Sequence, residues 1–323
     1  MLSRVADSLY WLSRYLERAE HTARLTDVCL NRMLEMDGSP DDERWNLLLA
    51  SLRVSGPTHI QGDIYGRIHA LIFDSEWQSS LAHSLALARD NARQVREQIS
   101  SEMWEQLNEL YLYVRGSSTD KRWETQPHEF AKAIKEGSQL FQGITDSTMS
   151  HAEGWHFIQV GRFIERAFGV SSILDVHYKT FMRAKDDCVA PGDYSDWVCL
   201  LKSCTAFEAY CKVYTANLRP DSIAEFLLLN AQFPHAICFA IETIQSSLLA
   251  IAGFTRTPKS SRVNRLVGRL VATLNFGQIE EIMSEGVDSY LEEIQAHCTR
   301  IHIAFYQSFI SYEIDGTRLR SAS

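Results

Sequence analysis

Leu9, Leu12, Leu16, Ala19, Ala23, Thr26 and Leu30 follow one another in alternating steps of three and four residues. That is the spacing of an inward-facing seam on a helix packed in a bundle. Phe157, Val160, Ile164, Ala167, Ser171 and Leu174 repeat it in the middle of the chain. Helical period continues almost throughout, broken by prolines at 40, 57, 127, 191, 220, 234 and 258. Proline marks such breaks because it lacks the amide donor and fixes φ. The pattern predicts helices over 2–36, 42–54, 60–73, 77–99, 101–115, 127–148, 151–185, 193–216, 221–230, 234–253, 260–275 and 280–313. No stretch alternates β-branched and polar residues between turn signals, so no strand is predicted. The expected fold class is all-α.

The pattern also repeats in detail. At one constant offset Arg14 matches Arg162, Tyr15 matches Phe163, Glu17-Arg18-Ala19 matches Glu165-Arg166-Ala167, and Asp27-Val28 matches Asp175-Val176. Trp45 with NLLLAS answers Trp197 with VCLLKS, and residues 73–85 resemble 229–241, each an acidic or amide turn before an apolar helix. The expectation is a duplicated helical bundle, with a first repeat over 1–150 and a second over 151–323, related by a pseudo-two-fold and packed into one body.

Composition narrows the function classes. The chain has 323 residues, 45% of them hydrophobic and 23% charged, enough for a sizeable core. A net charge of −9 argues against nucleic acid or an anionic membrane as partner. Seven cysteines, at 29, 188, 199, 204, 211, 238 and 298, show no C-x-x-C spacing and read as small apolar residues in a reducing compartment. The opening residues MLSRVADSLYWLSRYLERAE are charged throughout, unlike a signal peptide. The most apolar run, 235–254, contains Glu242 and Gln245 and reads as a buried helix rather than a membrane span. A soluble cytoplasmic protein is expected.

Two constellations could carry function. Arg14, Glu17 and Arg18 fall within an arc of about 100° on one helix, flanked by Tyr10, Trp11, Tyr15 and Leu25 rather than by a solvated face. Arg162, Glu165 and Arg166 form the second copy. Two readings are open. The couples are structural ion pairs, closed locally between Arg14 and Glu17 or exchanged as Glu17–Arg166 and Glu165–Arg18; or they bind substrate in an interhelical cleft. The second constellation is Arg89, Arg93 and Arg96, three guanidiniums on one predicted helix face, suited to a carboxylate, a phosphate or an acidic partner surface. Its structural alternative is an Arg93–Glu97 pair on a solvated helix. The second half places Gln245 and Leu249 where the first has Arg89 and Arg93.

Metal chemistry is weaker. Glu153 and His156 have one half of a di-iron spacing, but no second Glu-x-x-His accompanies them and Glu17 with His21, four apart, is a poor substitute, so no metal is expected. No phosphate loop, nucleophile elbow or Cys/His catalytic spacing occurs, and no cofactor is implied. The basic stretch 256–269 suits a phosphate or acidic contact, or a solvated helix start.

The N-terminal MLSRVADSLYWLSRYLERAEHTARL, ARDNARQVREQISSEMWEQLN in the first half and GWHFIQVGRFIERA in the second resemble the bacterial Alpha-E family over essentially the whole chain. One departure is Ala231–Gln232, where an acidic turn like that at Asp74 is expected. The resemblance implies an all-α protein that works beside a circularly permuted ATP-grasp protein, with a transglutaminase-like peptidase nearby, in making or modifying amide bonds. It supplies no catalytic residue. Two roles follow as expectations: a helical scaffold that docks on the ligase and presents its substrate, or an enzyme of amide chemistry. In the enzyme the Arg89/Arg93/Arg96 face would hold an anion, with Glu17 or Glu165 as acid or base. A homo-oligomer is left open.

Overall fold

A computed structural model describes residues 1–34, 41–56, 60, 62–118, 122–183, 194–215, 217–255, 258 and 261–310. Along these the chain forms α1 (Ser3–Leu34), α2 (Asp41–Leu52), α3 (Ile64–Phe73), α4 (Leu81–Gln94), α5 (Ser101–Ser117), the single turn α6 (Arg122–Thr125) and α7 (Pro127–Thr148). The second half runs through α8 (Glu153–Arg183), α9 (Tyr194–Ser203), α10 (Phe207–Tyr214), α11 (Pro220–Leu229), α12 (Ile237–Thr255), α13 (Arg262–Asn275), α14 (Ile279–Glu285) and α15 (Val287–Phe309). Among the described residues there are helices and connecting turns but no strand, so the fold class is all-α. Of the predicted helices, residues 35–36, 61, 184–185, 193, 216, 260 and 311–313 lie outside the described residues, as does Cys188.

Several predicted helices differ at their ends, and three depart further, each for a local reason. The segment expected over 77–99 is helical only from Leu81 to Gln94. Asp74 Oδ1 accepts from the amides of Glu76 and Trp77, at 2.9 and 3.3 Å, and Ser80 caps the helix by accepting from His83 at 3.1 Å. The stretch expected over 193–216 breaks at Thr205, which takes a left-handed φ of 54° between α9 and α10. The helix expected from 280 breaks at Gly286, where φ is 107°. The missing acidic turn of the second half proves to be an amide one: Asn230 Oδ1 accepts from Gln232 and Phe233 at 2.8 and 2.9 Å, as Asp74 does in the first.

The two long helices α1 and α8 lie against each other at the centre, and every seam residue named above is buried. They approach tightly at Gly161. A Cβ there would stand 2.3 Å from both the Tyr10 carbonyl oxygen and Ser13 Oγ, so only glycine lets the backbones come this near. α1 carries α4 and α7, while α8 carries α12 and α15; α5 then packs on α4 and α7, and α13 on α12 and α15. The second helix of each half crosses over, α2 lying mainly on α8 and α9 mainly on α1. α12 is long and apolar enough by composition to cross a membrane; here half of that stretch is buried, chiefly against α8 and α13.

Candidate functional site

The crossing of α1 and α8 brings both Glu-Arg couples together, and the pairing is between helices. Arg166 grips Glu17 with two bonds, Nε to Oε1 at 2.6 Å and Nη2 to Oε2 at 2.9 Å, and donates a third to the Pro234 carbonyl at 3.1 Å. Glu165 receives Arg14 Nε at 2.8 Å and Arg18 Nε at 2.7 Å. The local Arg14–Glu17 closure is not used. Nor is the exchange even: Arg162 Nε stays 3.9 Å from Glu17, buried and without a hydrogen bond. The remaining donor of Arg14, Nη1, is taken by Tyr10 Oη at 3.2 Å and lies 3.3 Å from His302 Nδ1.

Burial alone would raise the pKa of Glu165, but Arg14 and Arg18 outweigh it and hold the carboxyl down at about 2. The same contest, won by Arg166, leaves Glu17 below the ordinary carboxylate range. Burial first and the like charge of Arg166 second bring Arg162 down to about 10. Both carboxylates are therefore anions throughout the neutral range.

Beside the Glu165 cluster a cleft of about 330 Å³ opens between α1, the C-terminal end of α2, α8 and α15. Arg14, Arg18 and Glu165 line it, with Arg53 and Phe168 opposite. Arg53 follows the last residue of α2 with φ of 55°, the left-handed conformation in which helices usually place glycine. Its amide donates to the Ala50 carbonyl at 3.0 Å, and the next amide, of Val54, donates to Leu49 at 3.0 Å, closing the helix end. The exposed Arg53 guanidinium stands 5.0 Å from the centre of the Phe168 ring. His21 completes the wall; its Nε2 is buried without a partner, and burial, with Arg24 beside it, pushes the ring down to about 3. Gly169 makes room for that ring, since a Cβ there would lie 2.9 Å from it.

At the corresponding helix end in the second half, Thr205 has φ of 54° and the same two closing bonds, Thr205 to Lys202 at 3.0 Å and Ala206 to Leu201 at 2.8 Å. Here the chain's own groups fill the space. Thr205 Oγ1 accepts from Arg24, which also holds Glu20 at 3.0 Å and lies 3.3 Å from His235 Nδ1.

Arg89, Arg93 and Arg96 do not form one free helix face. Arg89 is turned into the protein, donating to Asn108 at 2.7 Å and lying 4.8 Å from the ring of Tyr111 and 5.4 Å from that of Trp104. Arg96 lies in the turn after α4, over the other reach of Trp104 at 5.8 Å, and donates to Ser101 at 3.2 Å. Arg93 alone projects, with its side chain 68% exposed and Asp90, not Glu97, 3.5 Å away. Glu153 sits 2.9 Å from the amino group of Met1. Among the described residues no three His, Cys, Asp or Glu side chains gather as metal ligands. Of the basic stretch, residues 256–257 and 259–260 lie outside the described residues.

The couples are legible in the sequence; Arg53 is not, and His21 stands out there only for its weak metal-ligand spacing with Glu17. The one signal for Arg53 was a helix ending at Leu52 with no glycine or asparagine after it.

Against known proteins, the Alpha-E family, described as a predicted alpha-helical domain with a conserved ER motif, matches residues 1–310. Uncharacterised proteins of Mycobacterium bovis and Mycobacterium tuberculosis are each 25% identical over 320 residues, covering 91% of this chain and 35% of their own length. The chain thus spans about a third of the curated relatives it matches. No solved structure matches it.

Proposed function

We propose that this chain, which belongs to the Alpha-E family, is a binding partner and not itself the catalyst: it holds an anionic substrate group for an ATP-grasp ligase. The observation that carries this reading is the charge of the cleft. Arg14, Arg18 and Arg53 line it against Glu165 alone, in a protein whose net charge is −9. A cationic recess in an acidic body draws and orients anions. A general acid or base works best with a pKa near the working pH. Glu165 at about 2 and His21 at about 3 are far from that, one fixed as an anion and the other as a neutral ring.

The remaining parts of the proposal come from the family resemblance. The ligase is a circularly permuted ATP-grasp protein that activates a carboxylate and joins it to an amine, and a transglutaminase-like peptidase acts in the same system; a cytoplasmic setting is proposed from the cysteine usage instead. Residues 1–150 and 151–323 are taken as two copies of one unit, a reading supported by the matched order of packing in the two halves. Exposed Arg93 is assigned to the ligase-facing surface.

The test is co-expression with the neighbouring ATP-grasp protein, co-purification, and an assay of ATP-dependent amide formation with and without this chain. The chain alone is expected to be inert, and the ligase to depend on it. Amide formation or cleavage by the chain alone, abolished in a folded Glu165→Gln variant, would overturn the proposal in favour of an enzyme.

A further inference from the structure

The two corresponding helix ends differ in what fills the space beneath them. In the second half the cap is Thr205, and the space holds a carboxylate and a guanidinium of the chain itself, Glu20 and Arg24, together with His235. In the register that matches Glu17 with Glu165, Phe168 takes the place of Glu20 and Ser172 that of Arg24. In the register that matches Asp74 with Asn230, Ser79 takes the place of His235. Large charged groups are thus replaced by small or apolar ones, and the cleft of about 330 Å³ is the space they leave. The guanidinium returns from another direction, on the cap residue Arg53. The carboxylate does not return.

Two cations have bonding capacity left for it. Among the described residues Arg18 hydrogen-bonds only through Nε, to Glu165, and its side chain is 32% exposed, leaving its two terminal nitrogens available. Arg53 has no ion-pair partner among the described residues, and its guanidinium lies over the Phe168 ring. Arg14, by contrast, is fully engaged with Glu165 and Tyr10. Left-handed backbone at a residue with a Cβ costs energy that glycine would avoid, so position 53 holds an arginine at some expense to the helix end. Leu52, Val54 and Phe168 give the cleft an apolar wall.

We infer that the cleft binds a carboxylate carrying a small apolar substituent, of which an acylated amino acid is the simplest form. The carboxylate lies between Arg18 and Arg53, with the substituent against Leu52, Val54 and Phe168. This rests on the reading of the cleft as the binding site and adds the chemical class of its ligand. A phosphate dianion suits it less well, because Glu165 faces the same space.

Calorimetric titration of the full chain tests it, with acetyl-leucine, acetyl-leucine amide and inorganic phosphate as probes. Acetyl-leucine is expected to bind at least about tenfold more tightly than its amide, the scale of a charge-assisted hydrogen bond. Arg53→Gly removes the guanidinium while relaxing the backbone. It is expected to weaken acetyl-leucine about tenfold with a thermal midpoint equal to or above that of the parent. Equal or absent binding of acid and amide, tighter binding of phosphate, or an unchanged affinity in folded Arg53→Gly would each overturn the inference. The ligase assay is independent of this one. Carboxylate binding without any effect on amide formation would leave the inference standing and remove the partner role; the reverse result would do the opposite.

Discussion

Glu17 is 2% exposed and stays ionised chiefly because Arg166 is held against it by two hydrogen bonds, with Arg162 and Arg24 adding to the effect. Removing one member of such a pair strands the other's charge in the interior, so Glu17→Ala is expected to destabilise the protein by about 3 kcal/mol. Denaturant unfolding measures this directly. Acid should act at the same scale through different residues. Burial keeps His21 and His177 neutral in the folded chain, at about 3 and about 4 against an ordinary 6.5. Below pH 6.5 the unfolded chain binds protons at these rings that the folded chain does not. Stability is therefore complete above that pH and falls as the pH drops toward the folded values, by up to about 1.4 kcal/mol per unit for each ring. Glu165, held at about 2 against 4.5, adds to the loss only below about pH 4.5. The thermal midpoint should already decline between pH 7 and 5, and less steeply in a folded His177→Gln variant. The couples were legible in the sequence because charge interrupting a packed helix is conspicuous. Arg53 and His21 were not: one owes its position to an unusual backbone angle, and the other looks like any histidine beside a seam.

Helices announced themselves wherever a run of three-four spacing was long, as in α1, α7, α8 and α15. Their interruptions did not, because Arg53 and Thr205 take left-handed conformations without the glycine or asparagine that would signal them. Gly286 was a signal of this kind and lay inside a predicted helix. The pairing of α1 with α8 could be anticipated from the repeated couples, whereas the exchange of α2 and α9 between the long helices had no local mark at all. The crossing of α1 and α8 gives the prediction that belongs to this scale. One of the two groups 2.3 Å from a Cβ at position 161 is the Tyr10 backbone carbonyl, which cannot swing aside as the Ser13 side chain could. Gly161→Ala is expected to part the helices and cost about 1–3 kcal/mol. Because Glu165 lies one turn further along α8, the same substitution should also weaken acetyl-leucine binding. Unfolding and titration of this one variant check both effects.

The two halves share a single set of central ion pairs, so neither contains its own complete core. Residues 1–150 expressed alone leave Glu17 without Arg166 and the α8-facing side of α1 uncovered. That fragment is expected to show no cooperative transition by circular dichroism, while the full chain unfolds in one step. On the outer surface the expectation is the opposite: Arg93→Glu should leave the thermal midpoint within a few degrees and reduce co-purification with the ligase, since its side chain is 68% exposed. A midpoint that falls together with the association would assign Arg93 to the fold instead. The central pairing also has a consequence in time. Glu17 and Arg166 are 149 residues apart, and a ribosome adding about 5–20 residues per second delivers the second roughly 7 to 30 s after the first. Throughout that interval the nascent chain carries a long helix with a bare apolar side and an unpaired acid. The first half of this protein is therefore expected to depend on chaperones during synthesis, and conditions that slow translation between residues 150 and 170 should raise the insoluble fraction more than the same delay placed after α8.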